Sequence, residues 1–330
     1  MSRRLQLAFF VCGLALFVFL VARAGPGALL TQLRRTGWAF VPIVLVWAGV
    51  YLTNTVAWRL LAVGPEGARG CGIPFWRAYS ITVSSFAINY VTPMVSLGGE
   101  PFKLEAAAAY VGRRRAAGSV IAFRVVHTLG QLVFWLLTLP VAYALLPRTP
   151  ATTTLLAATA AALVLAAWLL AALPRSRVLE RLLDAIQAVA PLRRLARAVE
   201  RGRPALAAVD AELAAVAGGH PARLAGALAA EVAGRCVAVL EFVLVARSVG
   251  VDMRYGAAAV VGGFSQLVMN LFFFVPFELG PREGSLYLVF RLLGLGAALG
   301  VYAAVVSRLR ELAWIGIGLA LVWAGGGRRA

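Results

Sequence analysis

An all-α, polytopic membrane protein is the fold class this sequence predicts, and three observations predict it. The chain is 61% hydrophobic, against about half for a soluble domain, and its mean hydropathy is +0.84. Its apolar residues fall in runs of about 20, the length that crosses a ~30 Å hydrocarbon core as a helix. The short alternating segments of a membrane β-barrel do not occur. We expect about six full spans plus two broken, re-entrant helical hairpins arranged as inverted repeats. No polar stretch is long enough for a soluble domain, so residues 1–330 read as a single membrane domain.

The formal net charge of +18 comes almost wholly from arginine. In this setting arginines hold loops on the cytoplasmic side and touch anionic lipid. No basic run carries interleaved aromatics in a soluble fold, so no nucleic acid is expected as a partner. Cys12, Cys71 and Cys236 show no CxxC spacing, and the histidines are His127 and His220 alone. We therefore expect no metal site, no disulfide framework and no cofactor.

Residues 5–63 hold the N-terminal spans. The run 5–21 follows Arg3 and Arg4 and reads as a first span; Ala22-Arg23-Ala24 also mimics a signal cleavage site. Residues 38–63 form a second span, anchored at the interface by Trp38. Residues 76–91 carry Ser80, Thr82, Ser84, Ser85 and Asn89, which suit a helix packed on protein rather than lipid. The break VTPMVSLGGEPFKLE follows at 91–105, with Pro93, Gly98, Gly99, Glu100 and Lys103. Lipid tolerates broken backbone and charge only where protein or water satisfies them. A helix over 99–112 rises only about 21 Å, too short to span. It reads as the return arm of a hairpin entering from the cytoplasm, a side marked by Arg113-Arg114-Arg115.

Residues 116–146 form a long span carrying Arg124 and His127, completing a first repeat over 76–146. Residues 152–173 return inward. The segment 175–219, rich in arginine and broken near Pro191 and Pro204, reads as two amphipathic helices at the cytoplasmic face. Residues 222–249 span again, with Glu231 and Arg235 one turn apart and able to pair. The second repeat occupies 256–323: an apolar helix to residue 275, the break at Pro276, a short helix over 285–293, and a last span over 300–323 with Arg308, Arg310 and Glu311. Both termini are expected in the cytoplasm, and the membrane is the inner one.

The repeat rests on order. Pro93 stands seven residues before Glu100, and Pro276 seven before Glu283, with Gly98 and Gly99 or Gly280 between and Gly284 following. An intramembrane arginine comes 24 residues after Glu100, at Arg124, and 25 after Glu283, at Arg308. An odd number of spans separates the hairpins, so the second enters from outside. Broken helices meeting at mid-membrane in inverted repeats are a transporter architecture.

An arginine at a span's centre costs about 2.5–3.5 kcal/mol on insertion scales. Two readings offset that cost. Arg124 pairs with Glu100 and Arg308 with Glu283 as structural ion pairs, or the guanidiniums of Arg124, Arg308 and Arg310 hold an anionic group such as a phosphate. Lys103, the only lysine, faces the same cavity or snorkels to the interface. His127 shuttles protons or is a packed, hydrogen-bonded histidine. Arg282 binds anion, pairs with Glu278, or sits at the outer surface. A nucleophile elbow and a P-loop are both missing, so no enzyme activity is expected.

NYVTPMVSLGGEPFKLEAAAAYVG, IAFRVVHTLGQ and FFFVPFELGPREGSLYLVFRLLGL together resemble the lysylphosphatidylglycerol synthase transmembrane region, a flippase-like family, over roughly residues 5–325. The GGE-x-F-K and G-x-R-E-G elements are the most specific parts. The resemblance implies handling of a lipid with an anionic head group. It points to Pro93, Gly98, Gly99, Glu100, Lys103, Arg124, Pro276, Gly280, Arg282, Glu283 and Gly284. The sequence departs at Phe277-Glu278-Leu279, where small residues such as glycine are expected. Some relatives carry a cytosolic aminoacyl-transferase domain. Its absence by residue 330 implies no lipid aminoacylation by this chain itself. The resulting expectation is a lipid flippase or transporter; the alternative is a scaffold presenting lipid to a separate glycosyl- or aminoacyl-transferase.

Overall fold

A computed structural model describes residues 26–62, 71–91, 99–172, 221–272, 275 and 278–326, together with Phe19 and Ala22. The predicted first span apart from Phe19, the amphipathic segment 175–219, and Pro93, Gly98 and Pro276 lie outside the described residues. Among the described residues the regular structure is wholly helical. The helices are α1 (Pro26–Thr36), α2 (Phe40–Leu61), α3 (Phe75–Val91), α4 (Gly99–Val111), α5 (Arg113–Leu145), α6 (Pro150–Ala172), α7 (Pro221–Ser248), α8 (Tyr255–Leu271), α9 (Pro281–Leu292) and α10 (Ala297–Gly326). A 3₁₀ turn at Gly37–Ala39 joins α1 to α2. By length and composition Gly37–Leu61 and Arg113–Leu145 are able to cross a membrane. Leu45, Leu52, Leu137, Val164, Leu165 and Trp168 point outward, so the surface is apolar as well as the core, as contact with lipid requires.

Four boundaries differ from expectation, each for a local reason. Helix α5 begins at Arg113, so the arginine triplet forms its first turn instead of preceding it. Gly112, at φ +82°, is the single residue separating α4 from α5. Cations oppose the dipole at a helix start, and Arg113 is answered there by Glu105 at 2.8 Å. Helix α8 stops at Leu271, before the expected residue 275. Helix α9 starts at Pro281 rather than 285, because Gly280 turns the chain at φ +90° and Glu283 accepts the Gly280 N–H at 2.8 Å. Helix α10 starts at Ala297, three residues before Gly300.

Two quartets carry the fold, α2–α5 and α7–α10. Helices α3, α4 and α5 have 17, 13 and 33 residues; α8, α9 and α10 have 17, 12 and 30. Helices α2 and α7 pack along their length at the centre. Leu60 meets Gly226, Thr53 meets Gly234, Gly49 meets Val237 and Trp47 meets Glu241, a register that runs antiparallel. Within the two quartets the remaining contacts come in matched pairs. Helix α3 packs on α4 and on α10, as α8 packs on α9 and on α5; α4 packs on α5, as α9 packs on α10. Helix α2 touches α3, α5 and α10, as α7 touches α8, α10 and α5. Exchanging the quartets therefore leaves this packing scheme unchanged.

Candidate functional site

The first break is locked onto α3. The Gly99 N–H donates to Asn89 Oδ1 at 2.6 Å, and Ser85 Oγ donates to the Gly99 carbonyl at 2.8 Å. A Cβ on Gly99 would strike the Ser85 carbonyl oxygen and the Asn89 side chain, so glycine is required by close approach. This seats Glu100 in the first turn of α4, favoured by the positive helix end. Glu100 accepts from Asn89 Nδ2 at 3.4 Å and from Arg124 Nη1 at 3.3 Å. Arg124 was expected to be buried, but its side chain is 62% exposed and Glu100 29%. The cause is the short α4: 13 residues rise about 20 Å and leave part of the face of α5 uncovered.

Lys103, three residues further on, is buried. Its Nζ stands 4.2 Å from the Trp58 ring centre and 3.8 Å from that of Phe123, held by their π faces. The snorkelling alternative is thereby corrected: two aromatic rings from α2 and α5 stabilise the ammonium inside the protein. Among the described residues no carboxylate lies within ion-pair distance of it, while Glu231 and Glu100 are within electrostatic reach.

Behind Arg124 a polar cluster joins α5, α7 and α8. His127 Nδ1 is 2.7 Å from Glu231 Oε2, and Arg235 Nη1 donates to the same oxygen at 2.9 Å. Arg235 also donates from Nε to Gln131 at 2.9 Å and from Nη2 to the His127 carbonyl at 2.8 Å. Gln131 in turn donates to Gln266 at 2.7 Å. Glu231 and Arg235 form the internal pair expected of them, and sequence spacing alone did not connect either to His127.

The second break is closed by charge. Arg308 reaches Glu283 at 2.7 Å with side-chain exposures of 16% and 0%. Arg282 takes the pairing alternative and not the outer surface: it binds Glu278 and, at 2.6 Å, Glu311. Arg310 pairs with Glu241 at 3.1 Å and lies 3.7 Å over the Trp47 ring. Glu241 also accepts from Trp47 Nε1 and Ser307 Oγ, both at 2.7 Å. Such pairs hold only when other donors satisfy the remaining lone pairs. Glu278 adopts φ +52°, a left-handed conformation in which glycine is unstrained. This is the position where the sequence departs from the small residues expected there. Gly284 lies in α9 beside Glu283.

Neighbouring residues of α3 tie the two breaks together, Asn89 through Glu100 and Tyr90 through its hydroxyl on Glu311 at 3.0 Å. The structure thus pairs Glu100 with Arg124 and Glu283 with Arg308, and puts Arg282 and Arg310 around Glu311. Glu241, Glu231, Arg235, Trp47 and Tyr90 are parts of the site that the sequence reading left out. Charges inside apolar spans at 231, 235 and 241 were the available signal. A cavity of about 90 Å³ lies among Trp47, Arg235, Glu241, Ser265, Arg282 and Arg310. The arrangement is suited to holding an anionic group at the exposed guanidinium while its other arginines stay paired and Lys103 stays enclosed by aromatic rings.

Comparison with known proteins gives a family match. The family described as "Lysylphosphatidylglycerol synthase TM region" matches residues 5–319. No curated protein and no solved structure matches.

Proposed function

Because this chain belongs to the lysylphosphatidylglycerol synthase TM region family, we propose that this lipid-handling membrane protein is a flippase: it moves a lipid with an anionic, phosphate-bearing head group between the leaflets of the inner membrane. The observation that carries this reading is the inequality of two equivalent pairs. Arg124–Glu100 is open at 3.3 Å with the guanidinium exposed, and Arg308–Glu283 is closed at 2.7 Å with the carboxylate buried. An exposed guanidinium in an apolar protein is a ready partner for a phosphodiester. The proposed cycle binds the head group at Arg124, releases Glu100, and then opens the second pair as the first closes.

The exchange-invariant packing and the antiparallel α2–α7 register support reading the quartets as inverted repeats. On that reading α3–α4 and α8–α9 are the re-entrant hairpins. No catalytic role is assigned to any residue; a separate transferase acting on the same lipid is a compatible partner.

The test is movement of fluorescent phosphatidylglycerol and phosphatidylcholine in liposomes containing the purified protein. Movement of the anionic probe, reduced about 10–100-fold in Arg124→Ala, is expected from one lost charge-assisted hydrogen bond of about 1.5–3 kcal/mol. Arginine-independent movement overturns the role of Arg124. Absence of movement, with the anionic lipid still bound, favours the scaffold alternative.

A further inference from the structure

We infer that the lipid travels with a proton, taken up at the His127–Glu231 pair. This rests on the lipid-moving reading above and adds its co-substrate. The geometry comes first. His127 sits one turn beyond Arg124 on α5 and bonds Glu231 at 2.7 Å. The histidine side chain is 38% exposed and the glutamate is fully buried, so the proton enters through the ring. Glu231 Oε1 has no hydrogen-bond partner. The carboxylate is thus held by the histidine and Arg235 through one oxygen alone.

The charges facing this pair come from α4, α7 and α5 itself. Helix α4 contributes Lys103 and Glu100, α7 contributes Arg235 and Glu231, and α5 itself contributes Arg124. Helix α8 contributes the uncharged Gln266 through Gln131. Arg59 on α2 is turned onto the Phe75 ring, and α6 has no titratable side chain. When Lys103 is protonated, three cations thus face two carboxylates, leaving one positive charge while His127 is neutral. A proton on His127 then adds a second uncompensated charge in a poorly solvated place. A phosphodiester at Arg124 cancels the first and makes room for the proton. Each ligand strengthens the other by the same factor, and couplings of this kind run about 5–150-fold. A monoanionic lipid and a proton therefore move in the same direction as a nearly neutral unit.

The experiment uses the full chain in phosphatidylcholine liposomes doped with fluorescent phosphatidylglycerol, under an imposed pH gradient. The expected result is accumulation of the probe in the leaflet on the alkaline side, with proton flux following the probe. The rate should change about tenfold between about pH 5 and 8, where histidine titrates. In His127→Gln, which keeps a hydrogen-bonding side chain without the titration, the ratio of rates across that range should collapse toward one. Probe movement that requires Arg124 but ignores the gradient overturns the proton and leaves the lipid reading standing. Absence of movement for any probe, with none bound, overturns both.

Discussion

Arg124 and Arg310 carry the same guanidinium and call for opposite outcomes. Arg310 is buried between Glu241 and the Trp47 ring. Arg310→Ala strands a buried carboxylate and should cost about 3–5 kcal/mol, seen as a large drop in thermal unfolding temperature in detergent. Arg124→Ala removes an exposed pair worth at most about 1 kcal/mol, so unfolding should barely shift while lipid movement fails. Lys103→Met should keep the apolar contacts with Trp58 and Phe123 and remain folded, with weaker binding of anionic lipid in a vesicle co-flotation assay. At this scale the sequence showed which residues are charged within apolar spans, and it offered Glu100 with Arg124 and Glu283 with Arg308 as pairs, alongside a reading in which the arginines hold an anion. It did not show the aromatic enclosure of Lys103. Trp58 and Phe123 lie on α2 and α5, and only tertiary packing brings them to one side chain. For the same reason it left Arg282 undecided, since Glu311 arrives from α10.

Among elements, the short helices decide the geometry. Gly99→Ala should push α4 off α3, because its Cβ meets the Ser85 carbonyl oxygen. A cost of about 1–3 kcal/mol is expected for such overpacking, read as lower folded yield and earlier unfolding. Helices α2, α3, α5 and α7 stand within a few residues of where the apolar runs put them, since long runs are strong signals. The start of α9 was less legible. The sequence reading puts the break at Pro276 and the short helix from 285, yet Gly280 caps the helix and Pro281 is its first residue, with Glu283 closing the turn. A helix-breaking pair and a helix-starting pair look alike until the backbone angles are known.

Across the whole molecule, the order of features at Pro93–Glu100–Arg124 and Pro276–Glu283–Arg308 is what led to the expectation of an internal repeat. It did not expose the matching roles of α2 and α7, whose sequences share no break or signature. Their matching contacts appear only in the antiparallel register and the paired packing. If the quartets are inverted, single cysteines at Arg148 and Asp252 should react with an impermeant thiol reagent from one side of the membrane, and one at Arg113 only from the other. Labelling of all three from a single side would contradict the inversion. A packing scheme that survives exchange of its halves also has a counterpart in which the halves trade conformations. On the inverted-repeat reading the two forms share their helix pairings, and the residues that tell them apart include an accessible Arg124, a sequestered Arg308 and a Glu278 in a left-handed turn. The lipid cycle proposed above then requires the two forms to lie close in energy, so that one bound head group chooses between them.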